Sequence, residues 1–405
     1  KGGIFMISVG VDVSKNKSTI CILKPYGEIV SSPFEIQHTE KELIDVSNML
    51  LRFDEEVRIV MESTGNYHYP ILTFFLKKGL FVSVINSLAM HKYAMCSLRA
   101  AKTDKIDSIK IANYGIDNWY HLKKYELQDN EYHQLQLLGR QYAHYIEMRV
   151  KEYLYFYSIL DQTLPGIKKV IKSQNNDNFE RDKLLDFAEK YIHFDNISKM
   201  SETDFIEDYL IWNKENGYQP SKTKALEIYN CAKNSIPTLD FQNPITSIMI
   251  LESVRVIKKI NKTLNIILTQ MNEYAKSTTE YSVVRNMGGV GNKLAVRLIA
   301  EIGDVRRFHS SKALIAYAGI DSPPYQSGQY LGLNRRISKR GSALLRNVGY
   351  QVMQSLKTHK PSDDAVYLYI LKKEQEGKPK KVAKIAGLNK FLRIYYARVM
   401  EIYKS

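Results

Sequence analysis

The chain predicts a mixed α/β domain, then a long helical region, then a basic and mostly α-helical C-terminal domain. Three observations carry this reading. Short apolar runs alternate with helical patterns over residues 6–125. Helical periodicity takes over for residues 126–280, with a polar insertion at 170–240. The charge balance then changes over 281–405: residues 1–281 hold 35 Lys+Arg against 35 Asp+Glu, residues 282–360 hold 13 against 3, and residues 361–405 hold 10 against 5.

In the first domain, Ile7, Val9, Val11 and Val13 alternate with Ser8, Gly10 and Asp12. This predicts a strand with Asp12 on its less apolar face. "STICILKPYGEIVSSPFEI" predicts two more strands around a turn at Pro25-Tyr26-Gly27. A helix is expected near 41–51. "VRIVME" (Val57–Glu62) is almost continuously apolar, as in a strand buried on both faces of a parallel sheet. "STGNYHYPILTFFLKKG" predicts a helix that stops at Gly79, with Glu62-Ser63-Thr64 as its candidate cap. "LFVSVINS" reads as a further strand, and 89–116 as one long helical region.

The second region opens with a long helix that ends before Pro165-Gly166. Its best-patterned segment starts at Asn243-Pro244, a cap followed by proline in the first turn. From there Ile250, Val254, Ile257, Asn261, Leu264, Leu268 and Met271 follow heptad spacing, with one polar Asn of the kind that fixes register in coiled coils. The pattern serves either an intermolecular coiled coil or an amphipathic helix packed within its own domain.

Composition excludes several classes. No apolar run approaches about 20 residues, so no membrane span is expected, and no signal peptide is recognisable. Lys1–Phe5, ahead of Met6, reads as an addition and is set aside. Cys21, Cys96 and Cys231 form no CxxC, which fits a reducing cytoplasm without a disulfide framework or zinc site. The C-terminal positive excess is an electrostatic footprint for a polyanion, and nucleic acid fits better than membrane because no basic amphipathic anchor accompanies it.

"LRAAKTDKIDSIKIANYG" sets Asp104 and Asp107 three residues apart among Arg99, Lys102, Lys105 and Lys110. Acids beside lysines on a helix often form weak exposed ion pairs. The alternative is a pair of oxygen ligands for a hard cation such as Mg²⁺, which needs further carboxylates converging from elsewhere. Asp12 sits on the first strand and Glu62 ends a later one. In α/β sheets, functional groups gather at strand ends and adjacent helices. Four acids so distributed can meet in a two-metal nuclease site, whose cations lie roughly 3.5–4 Å apart.

In the basic domain, "MGGVGNKLAVRLIAEIG" reads as a turn and a helix. Gly288, Gly289 and Gly291 permit close backbone approach, and Lys293 falls in the first helical turn. Such a helix–hairpin–helix-like element presents N–H groups to phosphate, although an ordinary capped turn has the same residues. Arg335, Arg336, Lys339, Arg340 and Arg346 occur with no acid between Tyr330 and Gly349. Unopposed charges of this density suit phosphate contact, or else form a solvated basic face. Between these lies the loop "DSPPYQSGQYLG", which contains Ser322 and Ser327.

"GVDVSK", "MESTGNY", "KTDKID", "GGVGNKLAVRLIAEIGDVRRF", "AYAGI" and "RRISKRGSALLR", in this order, resemble the insertion sequence 110 family of transposases, also called DEDD transposases. The resemblance covers about 6–120 and 282–355. It implies a RuvC-like, RNase H-like nuclease domain for the first three motifs and a transposase domain for the rest. It implies that Asp12, Glu62, Asp104 and Asp107 are catalytic ligands of Mg²⁺, with Mn²⁺ as an alternative, and that Lys102 and Lys105 face DNA phosphates. It also implies that Ser327, ahead of Gly328, is a nucleophile that forms a phosphoserine linkage. Family members often carry a doubled serine here; Gln326 replaces the first, and Ser322 is the competing assignment. The implied partners are donor and target DNA, a bridge RNA that pairs with both, and further copies of the chain in a dimer or tetramer, in a cytoplasmic, nucleoid-associated and membrane-free setting. Three rivals stand beside this reading: a hydrolytic junction nuclease that needs only the acids, a site-specific DNA invertase of the same family, and a non-enzymatic helix–hairpin–helix binding protein, which the four intact acids argue against.

Overall fold

The computed structural model describes residues 6–95, 103–126, 130–172, 179, 181–322, 326–327, 330–331 and 336–404. The chain divides into two compact units, Lys1–Leu127 and Gln128–Ser405.

The first unit contains β1 (Met6–Val13), β2 (Lys17–Leu23), β3 (Ile29–Gln37), α1 (Glu40–Leu50), β4 (Glu56–Glu62), α2 (Tyr69–Lys77), β5 (Phe81–Ile85), α3 (Ser87–Ala94) and α4 (Asp104–Asp117). The sheet order is β3-β2-β1-β4-β5. β1, β2 and β3 form an antiparallel meander, while β4 and β5 continue from β1 in parallel. This is the expected mixed sheet. Ile59, Val60 and Met61 are fully buried because β4 lies inside the sheet with helices over both faces. On one face Ile7, Val9, Val11 and Ile59 pack with Leu43 and Leu50 of α1 and with Ile71 and Phe75 of α2. On the other, Val60 packs with Met90 of α3 and Ile111 of α4.

Two boundaries differ from the sequence reading. The helix after β4 begins at Tyr69, with Pro70 in its first turn, rather than at Ser63. Ser63 is engaged elsewhere: its carbonyl accepts from Ser87 Oγ at 2.7 Å. Glu62-Ser63-Thr64 is therefore no helix cap. The long helical region is also divided. Asn86 Oδ1 accepts from Leu88 N at 2.8 Å and starts α3. Thr103 Oγ1 accepts from Ile106 N at 3.2 Å and starts α4 afresh. Cys96 lies outside the described residues.

The second unit is almost wholly helical: α5 (Asn130–Thr163), α6 (Ile167–Val170), α7 (Lys183–Tyr191), α8 (Phe194–Ser198), α9 (Glu202–Glu215), α10 (Lys222–Asn234), α11 (Pro244–Ser277), α12 (Tyr281–Arg285), α13 (Asn292–Ile302), α14 (Ser311–Ala318), the short β6 (Gln326–Ser327) and β7 (Tyr330–Leu331), α15 (Ala343–His359), α16 (Ala365–Gln375) and α17 (Lys380–Ile402). α5 ends just before Pro165, and α11 starts at the Asn243 cap with Pro244 behind it, as the sequence predicts. No helix of the described residues is long and apolar enough to cross a membrane.

The heptad residues Ile250, Val254, Ile257, Asn261, Leu264, Leu268 and Met271 are all buried. Ile250, Val254 and Ile257 join Phe156 and Leu160 of α5 and the aromatic core of α7–α10, where Phe187, Tyr209 and Ile228 are fully enclosed. Leu264, Leu268 and Met271 join Leu135 of α5, Val296 of α13, Leu345 of α15 and Leu388 of α17. Asn261 Oδ1 accepts from Arg149 Nε of α5 at 2.7 Å. The seam is thus filled by the chain's own helices, and the intermolecular alternative for these positions is set aside. The same core crosses residue 280, where the sequence reading divides two domains.

A buried carboxylate ties three helices of this unit together. Glu280, immediately ahead of α12, is fully buried. Its Oε2 accepts from Tyr132 Oη of α5 at 2.7 Å and from Tyr403 Oη, just past α17, at 3.1 Å. Burial pushes the Glu280 carboxyl above the usual carboxylate range, against the opposing pull of the two tyrosine hydrogen bonds.

Candidate functional site

The geometry of the four acids follows from the register of two parallel strands. Gly10 is level with Val60, and Val11 with Met61. The next positions along are Asp12 and Glu62. Successive residues of a strand point to opposite faces, so Asp12 shares a face with Ser8 and Gly10, and Glu62 shares one with Val60. That common face is the one α4 covers. A Cβ placed on Gly10 would come within 2.2 Å of the Ser108 carbonyl and 2.3 Å of the Ala112 nitrogen. One placed on Gly115 would come within 2.1 Å of Ser8 Oγ and 2.9 Å of Val60 Cγ2. Gly115 lies over Ser8 and Ser108 over Gly10, so α4 runs opposite to β1 and its first turn points toward Asp12. Asp104 and Asp107 occupy that turn.

All four carboxylates therefore belong to one end of one face of the sheet. Asp12, Glu62 and Asp107 are half-buried and Asp104 is exposed. Acids in a first helical turn are also favoured by the helix dipole, which helps hold Asp104 and Asp107 where they are. Lys110 Nζ lies 3.5 Å from Asp107 Oδ1. Asp104 lies within electrostatic reach of Lys17 of β2, whose ammonium is paired with Glu35 at 2.6 Å. Among the described residues, no three His, Cys, Asp or Glu side chains form a group that could hold a metal ion. The backbone brings the acids to one place, and their side chains stop short of a cage. As a donor set they suit a hard cation: all oxygen, with no thiol or imidazole.

Sequence reasoning missed what fixes this arrangement, namely the two glycines that let α4 approach β1. The available signal was Gly10 itself, since glycine inside a strand marks close approach of another backbone.

In the second unit, Ser327 is in β6 and its backbone is level with Tyr330 of β7. The segment that carries this hairpin is clasped at its base. Ser338 N donates to Asp321 O at 2.9 Å, Lys339 N donates to Gly319 O at 2.9 Å, and Ser338 Oγ donates to the Asp321 carboxylate. Ser322 is exposed beside this clasp. The Ser327 side chain lies outside the described residues, as do Lys102 and Arg335.

The other expected nucleic-acid contacts divide. Arg336, Lys339, Arg340 and Lys105 are exposed. Arg346 turns inward: its Nη1 donates to the carbonyls of Ala318 and Gly341, both at 3.0 Å. This cation holds the end of α14 against the approach to α15, in place of the solvent-facing role expected of it. Lys293 is half-buried, with Nζ 4.3 Å above the Phe179 ring. Gly289 has φ +74°, and a Cβ there would lie 2.7 Å from Leu356 Cγ. Its close approach is to α15, whereas Gly291, which caps α13, has open space around it.

A DEDD-type family model described as "Transposase" matches residues 9–165, and one described as "Transposase IS116/IS110/IS902 family" matches residues 281–368. The chain is 22% identical over 397 residues to the pilin gene-inverting protein of Moraxella lacunata, covering 97% of this chain and 95% of that one. It is 24% identical over 346 residues to the pilin gene-inverting protein of Moraxella bovis, covering 85% and 80%. It is also 28% identical over 136 residues to the transposase for insertion sequence element IS1111A of Coxiella burnetii, covering 29% and 36%. Among solved structures, T. thermophilus RuvC in complex with Holliday junction substrate aligns at 13% identity and a TM-score of 0.23, over 30% of this chain and 99% of that one.

Proposed function

The chain belongs to the insertion sequence 110 family of transposases, and from that premise we propose that it is a DNA recombinase that breaks and rejoins strands through Ser327. The observation that carries the proposal is the pairing of two family matches in one chain, one over the segment with the acids and one over the segment with the serine. A hydrolase needs only the acids.

In the proposed reaction Ser327 Oγ attacks a DNA phosphorus. A serine–phosphate bond forms as the bond to the neighbouring nucleotide breaks, and the serine proton ends on the departing DNA hydroxyl. The linkage keeps the phosphodiester free energy, so a second DNA hydroxyl can reverse the step and rejoin a different strand. Asp12, Glu62, Asp104 and Asp107 would hold Mg²⁺, or Mn²⁺, which when bound offsets charge on the transferring phosphoryl oxygens. Lys110, 3.5 Å from Asp107 Oδ1, would compete with the cation for that oxygen. Arg336, Lys339 and Arg340 bind backbone phosphates. By family relationship, a bridge RNA pairs with donor and target DNA, and a dimer or tetramer joins the acids of one subunit to the serine of another.

A second reading has its own support. Both relatives that align over most of this chain are named for gene inversion. An invertase would share the chemistry and differ in the layout of its two DNA sites.

The test is a denaturing gel of labelled DNA incubated with protein and Mg²⁺. Protein-linked label is expected with the parent and lost in Ser327→Ala, which still binds DNA. Normal cutting by Ser327→Ala with no linked species in the parent leaves the junction nuclease as the better reading. Loss of the adduct in Ser322→Ala alone moves the nucleophile to Ser322. Sequencing RNA that copurifies with the protein tests the bridge RNA.

A further inference from the structure

Within the second unit, α5, α13 and α15 enclose a cleft of about 360 Å³. That is within the range of small-ligand sites, roughly 300–1,000 Å³. Its walls mix apolar residues, Ala143, Ile146, Leu294 and Leu344, with polar ones. α13 contributes Lys293 and Arg297, α15 contributes Asn347 and Gln351, and α5 contributes Tyr142 and Glu147.

Arg297 is the group that asks for an explanation. It is half-buried, and among the described residues it makes no direct ion pair, although the Glu301 carboxylate on the same helix acts on it through space. Its Nη1 donates to Gln351 Oε1 at 2.7 Å, and Gln351 Nε2 donates in turn to Asn347 Oδ1 at 2.7 Å. The guanidinium stands 5.4 Å from the Tyr142 ring. Burial holds it below its ordinary pKa. Glu301, one turn further along α13, offsets part of the charge through space, but the guanidinium's hydrogen bond goes to the Gln351 amide, which leaves N–H donors for a ligand that offers acceptors. Glu147, also on this cleft, is exposed and has no ion-pair partner among the described residues.

A phosphate would satisfy Arg297 and be repelled by Glu147. A ligand with acceptors on one edge and donors on another satisfies both. Guanine has this pattern: O6 and N7 accept from a guanidinium fork, while N1–H and the 2-amino group donate to a carboxylate. Adenine fails twice, because its 6-amino donor would face Arg297 and its N1 acceptor would face Glu147. Reading both edges requires the base to be unpaired.

We propose that this cleft binds one unpaired guanine of a nucleic-acid strand, read by Arg297 and Glu147. The site contains none of the four acids and neither serine of the loop, so it stands or falls separately from the recombination chemistry.

The experiment is fluorescence anisotropy of the full chain with labelled 5′-UUGUU and 5′-UUAUU, and with their DNA counterparts. The guanine strand is expected to bind about tenfold more tightly than the adenine strand, a typical value for one well-paired base. Glu147→Gln, at an exposed position, should bring that ratio close to one while affinity for the adenine strand is unchanged. Gln351→Ala should do the same by freeing Arg297 to rotate. A preference equal in RNA and DNA assigns the site to the base alone, and a preference confined to RNA assigns it to RNA. No guanine preference in the parent, or one that survives both variants, overturns the proposal.

Discussion

Gly10 of β1 and Ser108 of α4 meet backbone to backbone: a single added Cβ at Gly10 would lie 2.2 Å from the Ser108 carbonyl oxygen. Neither partner is a side chain that can swing aside. Gly10→Ala is therefore expected to push α4 off the sheet, at a cost of about 1–3 kcal/mol or more. Asp104 and Asp107 move with that helix. Thermal unfolding should show the loss of stability, and Mg²⁺-dependent cleavage should fall although all four acids remain. Gly115→Ala should be milder, since its nearest neighbour is the Ser8 hydroxyl. Parental cleavage by Gly10→Ala would separate helix docking from the site.

Metal binding gives a direct reading of the acids. Calorimetric titration with Mg²⁺ or Mn²⁺ should show saturable binding that Asp12→Asn or Asp107→Asn weakens at least about tenfold, because a neutral amide is a poorer ligand for a hard cation. DNA affinity should stay within about twofold, since phosphate contacts dominate it. Lys110→Met should strengthen metal binding by at most about fivefold, as it removes a partner that competes for Asp107. Unchanged metal affinity in both acid variants would remove the carboxylate site.

Salt dependence should sort the arginines. Each of Arg336→Gln and Arg340→Gln is expected to reduce the slope of log affinity against log salt by about 0.9. Arg346→Gln should leave that slope alone and lower stability by about 1–3 kcal/mol, because two partly buried carbonyls lose their charged donor. The reverse pattern would mean that Arg346 is the phosphate ligand.

Glu280 predicts a pH effect. Its folded pKa is raised, so its contribution is fully present below the ordinary carboxylate value, about 4.3, and is lost as pH rises through the folded value. Across that window, stability should fall by up to about 1.4 kcal/mol per pH unit. Glu280→Gln cannot ionise and should show a flatter dependence of unfolding midpoint on pH. An identical dependence in the two proteins would place the titrating group elsewhere.

Much of the fold was legible because burial patterns are local. β4 reads as an almost continuous apolar run because both faces of its Ile59–Met61 stretch are covered, and α11 announces its start through Asn243 and Pro244. What the heptad stripe meets was not legible. Spacing marks an apolar face without naming its occupant, and here that occupant is α5 with the helices around it. The direction of Arg346 was hidden for a similar reason. Its acceptors, Ala318 and Gly341, come within reach only once the chain has looped out and returned at the Asp321–Ser338 clasp. Of the four acids, the sequence placed each on its element, and strand register with helix direction supplied the rest.

That register makes the site a matter of counting. Asp12 and Glu62 share a face only while the number of residues separating each from its pairing partners keeps its parity. One residue inserted within β1 or β4 ahead of the acid would turn that carboxylate into the layer where Ile7, Val9 and Val11 pack with α1 and α2. Two would restore its face but carry it one repeat along the strand, away from the first turn of α4. Lineages descending from this chain can therefore lengthen its turns freely, at Pro25–Gly27 or between α1 and β4, while the stretches leading into the two acids are held to a fixed length.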